Sequence, residues 1–250
     1  MAEMVAGQLA QTGETALSDC PRGGPARILG TSCQVGCRKA QRRMETMPKT
    51  STRRILTSQI QAAPWKNGGG VTREIATGSP PGPGPAPGPN WGWRVSLAEV
   101  AQDGPFSIFP ATDRVIAVID GEGMDLISPD GATIVLEPFQ AVRLSGDAPL
   151  FGRLRHGPVR DLNVMVLREH FAADMDLWQG PRSATSDVGS EDCLLIHGLA
   201  GRCAVRVDGG KLHDLMPGES LVHEGQGRFE FQLADDSRAA VIRITRRQNK

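Results

Sequence analysis

Charged and amide side chains stand among apolar neighbours at three places in this 250-residue chain. In Trp93-Arg94-Val95-Ser96-Leu97, strand alternation puts Arg94 and Ser96 on one face and Val95 and Leu97 on the other. Phe106-Ser107-Ile108-Phe109-Pro110 leads into Asp113-Arg114, an ion-pair candidate at the mouth of an apolar strand. Arg160-Asp161-Leu162-Asn163-Val164-Met165 aims Asp161 and Asn163 to one side and Leu162 and Val164 to the other. Buried arginine and carboxylate are normally paired. Two chemistries satisfy that rule. One is a salt-bridge network knitting strands together; the other is the polar floor of a concave pocket, with Lys66, Arg94 and Arg114 receiving a carboxylate.

Lys66-Asn67-Gly68-Gly69-Gly70 allows two readings as well. Successive glycines let backbone N–H groups converge on a ligand, and they also supply the positive φ of a plain turn. The segment lacks the order of a nucleotide-binding loop and opens a strand pattern rather than a helix. Other chemistries have weaker support. His156, His170, His197, His213 and His223 are scattered, without a His-x-His pair, and those of the second half fall at turn or edge positions in the strand pattern, so no metal site is expected. There is no Gly-x-Ser-x-Gly elbow. Cys193 and Cys203 flank a strand and read as buried structural thiols. Cys20, Cys33 and Cys37 stand one ligand short of a structural zinc site.

The elements that must position these residues are strands. Gly (30) and Pro (18) make up about a fifth of the chain, against about 12% in ordinary proteins, which favours short strands and many turns. Strand signals recur at Trp93–Ala98, Arg114–Ile119, Asp125–Ser128, Thr133–Leu136 and Leu162–Leu167. Asp130-Gly131 reads as a tight hairpin turn. Gly123, Asp130-Gly131, Pro138 and Gly146 return as Gly201, Asp208-Gly209, Pro217 and Gly225, an internal repeat. The expected fold is all-β, two tandem antiparallel barrels, with Arg168–Leu177 as the one helix. Residues 78–90, a Pro/Gly tract, read as an extended hairpin loop.

The formal charge is zero, there is no Tyr, and aromatics are 4%, which argues against nucleic-acid or anionic-membrane surfaces. Residues 1–50 carry seven Lys/Arg against four Asp/Glu and show no sustained period, so they read as a disordered extension, with Met44 or Met47 as alternative starts. No run reaches the roughly 18 apolar residues of a membrane span. No signal peptide is evident, and the twin arginines (Arg42-Arg43, Arg53-Arg54) precede no export segment. Five irregularly spaced cysteines fit a reducing, cytoplasmic compartment. The domain plan is an extension over 1–50, a first barrel over 51–168 and a second over 169–250, with homodimer formation left open.

Three strings, APWKNGGGVTREIA, WRVSLAEVAQDGPFSIFPATDR and GPVRDLNVMVLRE, resemble the HutD/Ves family across roughly residues 54–245. The resemblance implies a bicupin (RmlC-like) fold without the metal-binding histidines of many cupins and without a cofactor. It implies a first-barrel pocket lined by Trp65, Lys66, Asn67, Arg94, Ser96, Phe106, Asp113, Arg114 and Asn163. The implied ligand is a small acidic metabolite of histidine breakdown, urocanate or formylglutamate, bound so as to limit that pathway. Ala111 departs from the family's Gly after Phe-Pro, and Leu162 from its Phe. An enzyme of that pathway, using Lys66 or Asp113 to move a proton, is the alternative from another class. A purely structural β-protein is the third.

Overall fold

The structure, a computed structural model, describes residues 50–80 and 90–248. The readings made above for residues 1–49, including Cys20, Cys33 and Cys37, and for most of the Pro/Gly tract lie outside the described residues. The strands in chain order are β1 (Ser51–Leu56), β2 (Ala63–Pro64), β3 (Gly70–Gly78), β4 (Trp93–Val100), β5 (Gly104–Pro105) and β6 (Thr112–Asp120). Then come β7 (Met124–Ile127), β8 (Thr133–Leu136), β9 (Ala141–Ser145), β10 (Phe151–Leu154), β11 (Val159–Leu167) and β12 (Phe171–Gln179). The rest are β13 (Arg182–Val188), β14 (Cys193–Ala200), β15 (Cys203–Val207), β16 (Leu212–Leu215), β17 (Glu219–Glu224), β18 (Gly227–Leu233) and β19 (Arg238–Arg246).

Among the described residues the protein is all-β, with a single 3-10 turn at Thr57–Gln59 and no α-helix. The expected helix over Arg168–Leu177 is instead a turn followed by β12. Phe171, Ala173 and Met175 are buried while Asp174 and Asp176 are exposed. That period of two is a strand's.

The strands form four antiparallel sheets. A six-stranded sheet runs β2-β3-β4-β11-β6-β9 and faces a four-stranded one, β5-β10-β7-β8. A five-stranded sheet runs β1-β17-β14-β19-β12 and faces β13-β18-β15-β16. Shifting β4-β11-β6-β9 and β5-β10-β7-β8 by eight strands reproduces β12-β19-β14-β17 and β13-β18-β15-β16. The internal repeat is therefore a repeat of topology. The hydrogen-bond ladders do not run from a sheet into its facing sheet, so each half is a pair of sheets rather than a closed barrel. Pro105 helps to stop the ladder at one edge, because it has no N–H to donate. β1 follows neither half by sequence proximity: it pairs with β17 along Ser51↔Glu224 to Leu56↔Glu219.

Three apolar layers hold the sheets together. Val95, Leu97, Val115, Leu162 and Val164 of the six-stranded sheet pack against Leu195, Val222, Ala240 and Ile242 of the five-stranded sheet. Phe229, Phe231, Leu215 and Trp178 fill the space between the sheets of the second half. In the first half, Ile116, Val118, Met124, Leu126 and Leu136 fill only part of the corresponding space. The unfilled part is the pocket described next.

Candidate ligand pocket

The pocket forms on the face of the six-stranded sheet that turns away from the second half. Alternation decides which side chains reach it. On β4, Val95 and Leu97 enter the inter-sheet core, so Arg94, Ser96 and Ala98 face the opposite way. On β6, Val115 and Ala117 enter that core and Arg114 faces the pocket; on β11, Asp161, Asn163 and Met165 do the same. The register completes the floor, with Asn163 opposite Ser96 and Met165 flanked by Arg94 and Arg114. The cavity measures about 570 Å³, within the usual range for small-molecule sites.

Its walls come from the segments on either side of the floor. Trp65 is fixed by a 2.7 Å hydrogen bond from its Nε1 to Thr72 Oγ1. Phe106 and Phe109 flank Arg114, whose Cζ lies 5.3 and 5.8 Å from their ring centroids. Such cation–π contacts orient a guanidinium without neutralising it. Gly152 makes room for Phe106, since a Cβ there would stand 2.7 Å from the ring. Lys66 and Asn67 lie exposed at the rim.

The Gly68-Gly69-Gly70 run resolves toward the turn. Gly68 has φ +71, Asn67 Oδ1 accepts the Gly69 N–H at 3.0 Å, and a Cβ on Gly70 would stand 2.3 Å from the Glu99 carbonyl oxygen. These glycines serve the chain's own geometry.

The electrostatics of the floor are unusual for a packed sheet. Arg114 is 7% exposed and Asp161 1% exposed, yet among the described residues no ion pair joins either to an opposite charge. Among the described residues, the Arg114 guanidinium makes a single long hydrogen bond, 3.4 Å to the Ser107 carbonyl, and its Nε has no partner. Asp161 Oδ1 and Asn163 Oδ1 are also buried without partners. Burial holds the Arg114 pKa below its ordinary value, against the opposing attraction of Asp161 and with a smaller contribution from Arg94. Burial pushes the Asp161 carboxyl up to about 7, while Arg114 and the Asn163 amide pull the other way. Arg94 is already engaged, donating from Nε to Glu74 Oε2 at 2.8 Å.

Of the nine residues expected to line a pocket, eight come together here: Trp65, Lys66, Asn67, Arg94, Ser96, Phe106, Arg114 and Asn163. Asp113 does not. It lies on the opposite face of β6, its Oδ1 accepting from Arg168 Nε at 2.9 Å, and its partner is therefore not Arg114. The neighbour Arg114 alternates away from it. Asp161, Thr72, Phe109 and Met165 were missed, although the shared parity of Asp161 and Asn163 already placed Asp161 beside a candidate.

Among the described residues, two histidines and two cysteines are buried, all of them in the second half. His197 and His223 are buried within strands, not at turns or edges as expected. His197 Nδ1 lies 2.8 Å from Ser220 Oγ, and His223 bridges Thr52 and the Gln226 carbonyl. Burial pushes the Cys203 thiol up to about 11 and raises Cys193 as well, so neither is a ready nucleophile.

Paired antiparallel sheets, with a cavity in the first half that has a buried arginine on its floor, define a class: an all-β protein of cupin-like build. More narrowly, the chain belongs to the HutD family, whose sequence model matches residues 57–241. A 21.2 kDa protein in the hutC 3' region of Pseudomonas putida is 31% identical over 175 residues, 66% of this chain and 88% of that relative. Protein Ves of Citrobacter koseri is 34% identical over 110 residues, 44% of this chain and 54% of the relative. Among solved structures, HutD from Pseudomonas fluorescens SBW25 superposes with TM-score 0.65 at 27% identity, over 79% of this chain and all of that one. A conserved protein of unknown function from Pseudomonas aeruginosa PAO1 superposes with TM-score 0.69 at 25% identity, over 78% and 98%.

Proposed function

We propose that this protein is a cytoplasmic bicupin, with cupin units over 51–168 and 169–250, that binds a small carboxylate metabolite of histidine breakdown and modulates that pathway without consuming the ligand. The observation that carries the reading is Arg114: a buried guanidinium between two aromatic rings, with Nε unpartnered at the floor of a cavity. A buried charge without a partner is costly, and a ligand carboxylate supplies the missing one. Each charge-assisted hydrogen bond contributes about 1.5–3 kcal/mol net. After the cost of association, two such bonds correspond to a Kd of about 0.01–1 mM, suited to following a metabolite pool. Family membership and the hut-region relative support the histidine context. The pocket lining contains no imidazole or thiolate, and the reading assigns no metal or cofactor to it.

The test is thermal unfolding of the full chain against urocanate, formylglutamate, formiminoglutamate, glutamate and histidine, with and without a chelator. A ligand at about a hundred times its Kd stabilises by about 2.7 kcal/mol. Stabilisation by one acid, unchanged by the chelator, supports the reading; no shift with any of them removes it.

One observation favours a second reading, an enzyme free of cofactors. Asp161, with its carboxyl pushed up to about 7, could exchange a proton near neutral pH inside the cavity. Neither of the proton carriers expected from sequence fits as well, since Asp113 is outside the pocket and Lys66 is at its rim. Chemical conversion of the bound acid, followed by NMR, decides between the two.

A further inference from the structure

The pocket floor has a donor without an acceptor, and it also has two acceptors without donors. Arg114 Nε needs an acceptor; Asp161 Oδ1 and Asn163 Oδ1 need donors, and all three atoms are buried. Asp161 and Asn163 are 1% and 6% exposed and project from the same face of β11. A simple carboxylate ligand would satisfy Arg114 alone. It would leave Asn163 Oδ1, and the acceptor oxygen that the Asp161 carboxyl keeps in either protonation state, buried without a donor.

We infer that the pocket selects a carboxylate that also carries an N–H group, and that Asp161 with Asn163 is the acceptor pair that recognises it. The inference rests on the carboxylate reading above and names the second half of the ligand's chemistry. Arg114 and Met165 are opposite one another across β6 and β11, and Asn163 is two residues further along. Alternate residues of a strand are about 7 Å apart. A ligand that spans the floor therefore carries its N–H a few bonds from its carboxylate, as a ring N–H or an amide does. The aromatic walls, Trp65 and Phe106, accept a flat group between these two polar ends. Sites built to pair a ligand N–H reject the analogue that lacks it far more strongly than apolar pockets reject a missing methylene.

The test uses two pairs of acids that differ only at the donor atom, titrated calorimetrically into the unmodified full chain. One pair is 3-(pyrrol-2-yl)acrylate and 3-(2-furyl)acrylate; the other is N-formylglutamate and 2-formyloxyglutarate. The N–H member of at least one pair is expected to bind at least tenfold more tightly than its oxygen counterpart. In Asp161→Ala that preference falls below threefold, while the oxygen member retains its affinity. Equal binding of the two members in the unmodified chain overturns the inference and leaves the carboxylate reading standing. Binding of none of the four removes the carboxylate reading and this one with it. The comparison within the unmodified chain holds whether or not Asp161→Ala folds.

Discussion

Arg114 on β6 and Asp161 on β11 are buried in one pocket, near enough to attract each other, yet they form no ion pair. Had they closed on each other, the floor would be a structural salt bridge and the cavity would present no free charge. Instead each keeps an unpartnered atom, Nε on one and Oδ1 on the other. The reading of these residues as a network knitting the sheet fails at this pair, although it holds elsewhere, as at Arg94–Glu74 and Arg168–Asp113.

Replacing Arg114 therefore separates binding from folding. Arg114→Ala is expected to weaken binding of the acid by at least tenfold, the loss of one or two charge-assisted hydrogen bonds. Its effect on stability is expected to be small, because a desolvated, unpaired guanidinium contributes little to the fold. Arg114→Lys should not restore affinity, since an ammonium cannot present the planar fork between Phe106 and Phe109. Titration calorimetry alongside denaturant unfolding measures both quantities.

Asp113 provides the opposite control. It is about half exposed and pairs with Arg168 at 2.9 Å and Arg247 at 3.7 Å, on the far side of β6 from the cavity. Asp113→Asn should leave acid binding within about threefold of the unmodified chain and cost at most about 1 kcal/mol, as for other exposed pairs. A large loss of binding would return Asp113 to the site.

The contrast between Asp113 and Arg114 shows what the sequence carried and what it did not. Strand parity was readable, so Arg94 with Ser96, and Asp161 with Asn163, were placed on common faces correctly. Adjacent residues such as Asp113 and Arg114 share a position in the chain but not a face, and the family motif covers both without distinguishing them. The segment at Phe171–Gln179 reads as a helix because the preceding Arg168-Glu169-His170 have a helical composition, while what makes it a strand is its pairing with the neighbouring β19 and its burial against the six-stranded sheet. The pairing of β1 with β17 joins residues such as Thr52 and His223, 171 apart, and no local pattern announces such a contact. The second Asp-Gly turn, by contrast, is local chemistry: Asp208 and Gly209 both have positive φ, as a type I′ turn requires, whereas in the first only Gly131 does.

Ala111 tests the departure from the family pattern. It has φ +60, its N–H donates to Asp147 Oδ1 at 2.8 Å, and its carbonyl accepts from the Arg168 N–H at 3.1 Å. The left-handed conformation costs a non-glycine residue about 1–2 kcal/mol. Glycine relieves that cost but adds about 0.4–1 kcal/mol of unfolded-chain entropy. Ala111→Gly is thus expected to stabilise by up to about 1 kcal/mol, read as an upward shift of the denaturant midpoint with an unchanged slope. A downward shift would mean that the turn is held without strain.

Two buried groups make opposite contributions to the pH dependence of stability. The Asp161 pKa is raised by burial from 3.8 to about 7, so the folded state holds its proton across a window where the unfolded chain has lost it. Its stabilising contribution is complete below pH 4 and is lost as pH rises toward 7, a change on the order of 4 kcal/mol. The His197 pKa is lowered by burial from 6.5 to about 4, so protonation favours the unfolded chain and stability rises with pH over pH 4 to 6.5. The two slopes oppose each other, and the unmodified chain should show a shallow profile in this window. Asp161→Asn removes the falling contribution, so its stability should rise steeply from pH 4 to 6.5 and exceed that of the unmodified chain above pH 7. His197→Gln, which keeps a hydrogen-bonding partner for Ser220, should show the reverse, falling from pH 4 to 7. Urea unfolding at half-unit pH intervals measures all three profiles. Parallel profiles for Asp161→Asn and the unmodified chain would show that the carboxyl is ionised in the pocket and that the free acceptor there is a full negative charge.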